Sequence, residues 1–276
     1  MLIARVATDS GPRHGIVDGD QVRLVCSLAD LRRTGERVPY TPHTLLAPIQ
    51  PGTIYGMAHN SGPGDRELAP QAFLKPRHGA IGPGDPIPVP HGIGPVVAEA
   101  ELALVIGSPA RHRSLADALE VVLGYTAAND VTARALQAQD SLWLAGKGFD
   151  GFTPLGPVID TELPLEAGIR LAVDGTTVSH STTTALARGF AEIIVYLSSI
   201  TTLQPGDVIL TGAPGADAEL LPGGRVAVQC GSRLLIHRRR WCAQSPSLLQ
   251  PLAAPSQPRH SAAPVTHARA RLPRCG

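Results

Sequence analysis

The feature that most limits how this chain can fold is an apolar run, residues 96–107, that carries two glutamates near its start. It reads VVAEAELALVIG. After Glu101 the run is apolar at every position, as in a strand that is buried on both faces. Side chains two residues apart lie on the same face of a strand, so Glu99 and Glu101 would point together, roughly 7 Å apart along the backbone. Two carboxylates placed there repel each other unless a cation lies between them.

A third carboxylate, Asp130, opens the next informative segment, residues 130–137. If a helix begins near Asp130, Arg134 and Gln137 would follow on the same helical face. Three carboxylates without cysteine or histidine partners suit a hard cation, so Mg²⁺ or Mn²⁺ is predicted, with Ca²⁺ as a third candidate. Spacing alone also fits two ordinary alternatives, a solvated Glu-x-Glu face and an aspartate that only caps a helix.

Composition argues against several classes of function. The 276 residues include 24 Lys plus Arg and 23 Asp plus Glu, so no net field attracts nucleic acid or an anionic membrane. Aromatic residues make up 4% of the chain, too few for a stacking surface that binds single-stranded nucleic acid. Neither a membrane-spanning run nor a signal peptide is visible, so a cytoplasmic protein is predicted. The four cysteines form no C-x-x-C motif and are interpreted as reduced thiols.

Patterning divides the chain into three parts. Residues 1–47 are predicted to form a small β-rich segment, with two strands around the turn at residues 18–20. Residues 48–237 mix short strands, turns and a few helices, without the regular alternation of a doubly wound parallel sheet. Residues 238–276 are rich in Pro, Ala, Ser and Arg and lack an apolar period, so a disordered tail is predicted.

Two helices are predicted within the central part. One would begin at Ser114, in a sequence that resembles a capping box, and end at Gly124. The other would span residues 184–199, which carry an apolar stripe, and residues 208–211 would form a strand after it. The expected architecture is α+β and β-rich, a mixed sheet folded on itself with helices packed outside.

Several motifs in series resemble those of the fumarylacetoacetate hydrolase family. EAELALVIG resembles the family strand E-x-E-L-A-x-V-I-G, and the following segments resemble G-Y-x-x-x-N-D-x-(S/T)-A-R-x-x-Q, K-(G/S)-x-D-x-x-x-P-x-G-P and L-x-P-G-D-x-I-x-T-G. The matching segments are residues 73–76, 82–87, 99–107, 124–137, 147–157 and 203–212. They occur in order and with family-like spacing over about residues 50–230.

This resemblance implies a β-sheet roll of the fumarylacetoacetase C-terminal type, a homodimer, and a small 2-oxo or β-diketo acid as substrate. It implies a metal bound by Glu99, Glu101 and Asp130, with Arg134 supporting this acidic cluster. It also implies a set of residues that face the substrate, with Lys147 taking part in catalysis. The members of this set are Gln137, Lys147, Gly151 and Thr211.

Two loops depart from the family pattern. The loop G-x-N-Y-x-x-H-x-x-E, whose His and Glu activate water in hydrolytic members, has Gly64 in place of that His. His59 is therefore the candidate base, and Glu67, which matches the family's Glu, would orient it. In the family loop T-G-T-P-x-G, Ala213 replaces the second Thr, which removes a hydroxyl donor to the substrate.

The combination of a metal site and a histidine base favours one reaction, hydrolysis of a C–C bond in a β-diketo or acylpyruvate-type acid. Two alternatives stay open at this point. The same metal–enolate chemistry without a base gives decarboxylation of a 2-oxo acid or enol–keto isomerisation. A member that keeps the metal site but has no catalytic activity is the alternative from a different class.

Overall fold

Turn-forming residues interrupt the apolar runs of this chain and keep its strands short. The computed structural model describes residues 1–241 except residues 163, 165 and 222. Their strands form an eleven-stranded, a five-stranded and a three-stranded sheet, which confirms the predicted α+β, β-rich class. None of the helices within these residues is long and apolar enough to cross a membrane.

The strands, in chain order, are β1 (Leu2–Val6), β2 (Arg13–Asp18), β3 (Gln21–Val25), β4 (Arg33–Pro39), β5 (Ile54–Ala58), β6 (Gln71–Lys75), β7 (Ala80–Ile81), β8 (Pro86–Val89), β9 (Val96–Ala98), β10 (Ala100–Ile106), β11 (Val122–Asn129), β12 (Thr132–Ala133), β13 (Thr153–Asp160), β14 (Gly168–Val173), β15 (Thr176–Thr182), β16 (Val208–Leu210), β17 (Ala218–Glu219), β18 (Arg225–Cys230) and β19 (Arg233–Trp241). The helices are α1 (Arg134–Gln137), α2 (Leu144–Lys147) and α3 (Phe190–Ile200).

The largest sheet has the strand order β4-β3-β2-β1-β13-β11-β10-β16-β5-β6, with β7 beside β13. The five-stranded sheet has the order β15-β14-β18-β19-β8, and the small sheet has the order β12-β9-β17. The predicted pair of strands around the turn at residues 18–20 is present as the antiparallel pair β2–β3. β1 pairs with β13, so the N-terminal strands extend the sheet that contains β10.

The glutamate-bearing run forms β9 and β10, and every residue of β10 is buried. Leu102, Leu104 and Ile106 pack into one apolar cluster, while Ala103 and Val105 pack into another on the opposite face. The predicted strand that is buried on both faces is therefore present. Each such fully buried large side chain contributes roughly 1.5–3 kcal/mol, so β10 is a rigid support for the carboxylates at its start.

Three helix predictions were wrong in their bounds or their existence. The segment after Ser114 forms only a 3₁₀ turn, because Val122 begins β11 and pairs with Ile106. The second helix begins at Phe190 and not near residue 184. Asp130 lies in the connection between β11 and β12, where its N–H donates to the Glu99 carbonyl (2.9 Å), and α1 begins only at Arg134.

The predicted boundary of the tail, after His237, falls inside a strand. Residues 238–241 belong to β19, and they pair in parallel with β8. Arg239 is buried, with its guanidinium donating to the Leu220 carbonyl, whereas Arg238 and Arg240 are exposed. The arginine run therefore follows the two-residue period of a strand. Residues 242–276 lie outside the described residues, and their disorder stays a prediction.

β19 also contains a histidine, His237, whose burial makes the stability of the fold depend on pH. Burial is the main cause that lowers the pKa of His237 to about 4, although its Nδ1 lies 2.8 Å from the Asp85 carbonyl oxygen. An unfolded chain takes up this proton near pH 6.5, and the folded chain only near pH 4. The stability that neutral His237 contributes is therefore present above pH 6.5 and is lost as the pH falls towards 4.

We expect the His237→Gln variant to lose less stability than the wild type over this pH interval, by about 3 kcal/mol in the free energy of unfolding. Denaturant unfolding at a series of pH values measures this difference. The matched control is His78→Gln, which replaces an exposed histidine and should leave the slope unchanged. Parallel pH profiles for wild type and His237→Gln would contradict the account.

Candidate active site

The start of β10 opens into a cavity of about 550 Å³. Its wall combines the loop after β5, the middle of β6, the connection after β11, the two short helices α1 and α2, and Gly212. Most of the residues singled out in the sequence line this one cavity. They are His59, Glu99, Glu101, Asp130, Arg134, Gln137 and Lys147.

Glu101 is one of two buried carboxylates in this cavity, together with Asp130. It is 4% exposed and accepts a hydrogen bond from the Gly212 N–H (2.7 Å). Within the described part of the chain it makes no ion pair. Burial, and then the neighbouring charge of Asp130, raise the pKa of Glu101 well above its ordinary value. An additional cation would relieve this cost.

Asp130 has the opposite environment, because a lysine contacts each of its carboxylate oxygens. Lys75 Nζ donates to Oδ1 and Lys147 Nζ donates to Oδ2. Burial alone would raise the pKa of Asp130, but the two ammonium groups outweigh it and hold that pKa below its ordinary value. Asp130 is therefore a carboxylate in the folded protein at neutral pH.

Lys147 lies at the end of α2 and is almost completely buried. Its Nζ also donates to Glu99 Oε2 and to the Thr132 hydroxyl, both at 2.9 Å, and lies 4.9 Å from the centre of the Phe73 ring. Burial opposes the charged form, but the carboxylates of Asp130 and Glu99 prevail and raise the pKa of Lys147 above its ordinary value. Lys147 is a fixed positive charge at the buried end of the cavity.

Lys75 and Thr132 are site residues that the sequence interpretation missed. Lys75 Nζ donates to the Phe152 carbonyl (2.7 Å) as well as to Asp130, and the Thr132 hydroxyl donates to Glu99 Oε2 (2.6 Å). One signal could have identified Lys75. Lysine occurs only twice in the chain, at positions 75 and 147, among 24 basic residues. A chain that otherwise uses arginine places its two compact ammonium groups on one aspartate.

Arg134 and Gln137 lie on α1, at the edge of the acidic cluster. Arg134 Nη2 donates to Glu99 Oε1 (2.9 Å) and also contacts Asp217, and its Nη1 donates to Gln137 Oε1 (3.0 Å). These contacts are compatible with the predicted supporting role of Arg134. Because both side chains line the cavity, the Gln137 amide is also within reach of a ligand there.

Three predicted site residues lie outside the cavity lining. Glu67 is exposed at the end of the 3₁₀ turn Pro63–Glu67, and Asp65, which accepts from the Ser61 N–H (2.8 Å), lines the cavity in its place. Thr211 is fully buried, and its hydroxyl donates to the Leu102 carbonyl (2.8 Å). Gly151 faces Pro88, where a Cβ would collide with the proline ring. Their assignment to the base and to substrate binding therefore stays a prediction.

His59 lies at the open end of the cavity, with its side chain exposed. Its ring packs edge-on against Trp143, with 5.8 Å between ring centroids. The next residue anchors the loop: Asn60 is fully buried, donates to the Thr211 carbonyl (2.8 Å) and accepts from the Arg188 N–H (2.7 Å). The backbone of this loop is thus fixed to the end of β16, while the imidazole faces the cavity.

The donor set fits a divalent cation. Three carboxylates line the same cavity, and Glu101 is buried without a cationic partner among the described residues, which is the chemistry that a hard cation satisfies. The three carboxylates do not surround a common point, because no cluster of three or more acidic, histidine or cysteine side chains within the described residues is placed as metal ligands are. Lys147 instead contacts both Glu99 and Asp130.

Comparison with known proteins gives two family matches. A model described as the C-terminal part of fumarylacetoacetate (FAA) hydrolase matches residues 54–241, and one described as Rv2993c-like, N-terminal, matches residues 1–48. Protein Rv2993c from Mycobacterium tuberculosis is 34% identical over 247 residues, which cover 83% of this chain and 93% of the relative.

Two solved structures extend this comparison. One is a 5-carboxymethyl-2-hydroxymuconate delta-isomerase from Mycobacterium smegmatis, with a TM-score of 0.83 and 33% identity over 88% of this chain and 100% of that chain. The other is a maleylpyruvate hydrolase from Sphingobium sp. SYK-6 in complex with manganese (II) ion and pyruvate, with a TM-score of 0.73 and 25% identity over the same shares.

Proposed function

The chain belongs to the fumarylacetoacetate hydrolase family, and from that premise we propose that it hydrolyses a C–C bond of an acylpyruvate-type β-diketo acid with Mg²⁺ or Mn²⁺ as cofactor. The observation that carries the proposal is the distribution of groups within one cavity. Three carboxylates and Lys147 lie at its buried end, and His59 lies at its open end. The manganese and pyruvate in the related maleylpyruvate hydrolase support the same cofactor and product class.

In the proposed reaction, water adds to the acyl carbonyl carbon of the substrate. The bond from this carbon to the methylene then breaks, and its electron pair goes to the methylene carbon, which becomes part of the pyruvate enolate. Protonation of that carbon gives pyruvate, and the acyl group leaves as a carboxylic acid. One acylpyruvate and one water therefore give one pyruvate and one carboxylic acid.

The residues at the buried end would act on the 2-oxo acid half of the substrate. A divalent cation held by Glu99, Glu101 and Asp130 would polarise the substrate oxygens and offset the charge of the enolate. Lys147 remains protonated because of its two carboxylate neighbours, so it supplies positive charge close to the developing anion. The removal of water by the buried walls strengthens both effects.

His59 would act on the attacking water at the opposite end. A general base has to come within hydrogen-bond reach of the proton that it takes, and a side chain at the mouth of the cavity can reach both solvent and the acyl carbonyl. Contact with Trp143 limits the positions of the imidazole ring. The anchored backbone of Asn60 limits the positions of the loop.

We expect His59→Ala to lower acylpyruvate hydrolysis by about 10²- to 10⁴-fold, the usual contribution of a general base. Metal affinity, measured by calorimetry, should not change, because His59 is not among the proposed ligands. His112→Ala is the matched control, since His112 is also exposed and has the same backbone φ of 51°. Full hydrolytic activity in His59→Ala would remove this residue from the mechanism.

A second candidate function, isomerisation of a 2-oxo acid between its enol and keto forms, is favoured by the position of Glu67. This residue lies outside the cavity, so the carboxylate expected to orient His59 is not beside it. Isomerisation uses the acidic cluster and Lys147 but needs no activated water. Isomerisation should therefore survive in His59→Ala, which an ultraviolet assay of enol decay can measure.

The homodimer that the family resemblance implies stays a prediction, and the mass of the protein in solution would test it.

A further inference from the structure

A second cavity, of about 820 Å³, adjoins the first. Ala58, His59, Phe73 and Trp143 line both cavities, so the two lie next to each other across these residues. The rings of His59 and Trp143 contact each other. Because His59 is exposed and lines both cavities, a ligand that extends past it from the first cavity would reach the second.

The walls of the second cavity differ in charge from those of the first. Its lining contains no Asp, Glu, Lys or Arg. Three leucines contribute to it although they are largely exposed: Leu74 (58%), Leu142 (79%) and Leu144 (58%). Clustered exposed apolar side chains of this kind mark a surface that a ligand or partner covers.

The junction between the cavities is built with backbone strain. Trp143 has φ = 62° and His59 has φ = 51°, a left-handed conformation that bulky residues rarely adopt. Asp140 holds the first of these loops, because its carboxylate accepts from the Leu142 N–H (3.0 Å) and the Ala145 N–H (2.8 Å). Such strain persists where the position of a side chain matters for binding or catalysis.

We propose that the second cavity receives the acyl end of the substrate and makes the enzyme selective for acylpyruvates whose acyl group is an uncharged alkyl or aryl chain. This inference rests on the proposed function. A terminal carboxylate that packs against these leucines would lose part of its hydration without meeting a cation, which is costly. Each methylene that is buried there should instead raise kcat/KM by up to about fourfold.

A second copy of the chain is the other occupant that exposed leucines would suit. The substrate is favoured by two features that a protein contact does not require. The apolar walls share four residues with the cavity that contains Lys147, and the two residues with strained backbones, His59 and Trp143, are among them. Substrate selectivity and the mass of the protein in solution separate the two occupants.

The test compares kcat/KM for acetyl-, butanoyl- and hexanoylpyruvate, and for succinylpyruvate, which matches butanoylpyruvate except for its terminal carboxylate. We expect hexanoylpyruvate to exceed acetylpyruvate by at least about tenfold, and succinylpyruvate to fall at least about tenfold below butanoylpyruvate. Equal values across the alkyl series, or a preference for succinylpyruvate, would overturn the inference while leaving acylpyruvate hydrolysis intact. No cleavage of any acylpyruvate would overturn both.

Variants assign the effect to the cavity. Leu142→Ala and Leu144→Ala should lower the ratio of kcat/KM for hexanoylpyruvate to that for acetylpyruvate by about threefold or more. Leu115→Ala is the matched control, because Leu115 is 62% exposed and lies outside both linings, and it should leave the ratio unchanged. If the cavity variants keep the wild-type ratio and instead change the mass in solution, the cavity serves a contact between copies and the proposal is wrong.

Discussion

Replacing Lys147 by methionine should lower kcat by about 100- to 1000-fold, the loss that follows removal of a group aimed at a developing negative charge. The enolate carries more charge than the bound substrate, so the ammonium stabilises the transition state more than the ground state. KM should therefore change little. Steady-state kinetics with the metal-saturated enzyme measures both constants.

The Lys147→Met variant should still fold. Methionine keeps the length of the side chain and its contact with Phe73, and Asp130 retains Lys75 as a partner. A melting curve close to that of the wild type is the control. Lys147→Arg keeps the charge but not the compact shape of the ammonium group, so it tests whether charge alone suffices. An unchanged kcat with a raised KM in Lys147→Met would show that this residue only binds the substrate.

Replacing Glu101 by glutamine should affect metal binding more than any other change. The loss of a direct ligand should exceed the roughly 10- to 100-fold lost when a residue that only supports a ligand is replaced. The metal-free protein should not become less stable, because glutamine still accepts from the Gly212 N–H and removes a buried charge that has no ion-pair partner in the described part of the chain.

Calorimetric titration of Mn²⁺ and thermal unfolding without metal measure the two effects of Glu101→Gln. Glu120→Gln, at an exposed position outside the cavity, is the matched control and should change neither. Equal Mn²⁺ affinity in Glu101→Gln and wild type would remove Glu101 from the site. A large loss of stability without metal would show that its charge is already compensated.

The sequence predicted the fold class because local and long-range forces agree along β10. An apolar run of this length can only be buried, and the two-residue period then places Glu99 and Glu101 together. The segment after Ser114 lacks the predicted helix because local and long-range forces disagree there. Its pattern permits a helix, but Val122 gains a strand partner in Ile106, and pairing in the sheet outweighs local helix preference.

The family resemblance, and not closeness in sequence, brought His59, Glu99 and Asp130 into one candidate site. Lys75 was missed because it reaches Asp130 from β6, and its motif at residues 73–76 does not by itself indicate this contact. Glu67 lies outside the cavity lining, because loop spacing does not fix which side of a 3₁₀ turn faces the cavity. The second cavity joins β6, the loop before α2 and Tyr196 of α3, so only the folded chain reveals it.

The claim that this cavity stabilises a 2-oxo acid enolate is tested most directly by hydrogen exchange at C3 of pyruvate. Pyruvate is incubated in D₂O with the Mn²⁺-loaded protein, and proton NMR follows the loss of the methyl signal. The measurement is repeated after a chelator has removed the Mn²⁺. We predict exchange well above that of metal in buffer, abolished by the chelator and by Lys147→Met. Exchange at the buffer rate, or exchange that is unaffected by both the chelator and Lys147→Met, would contradict the account.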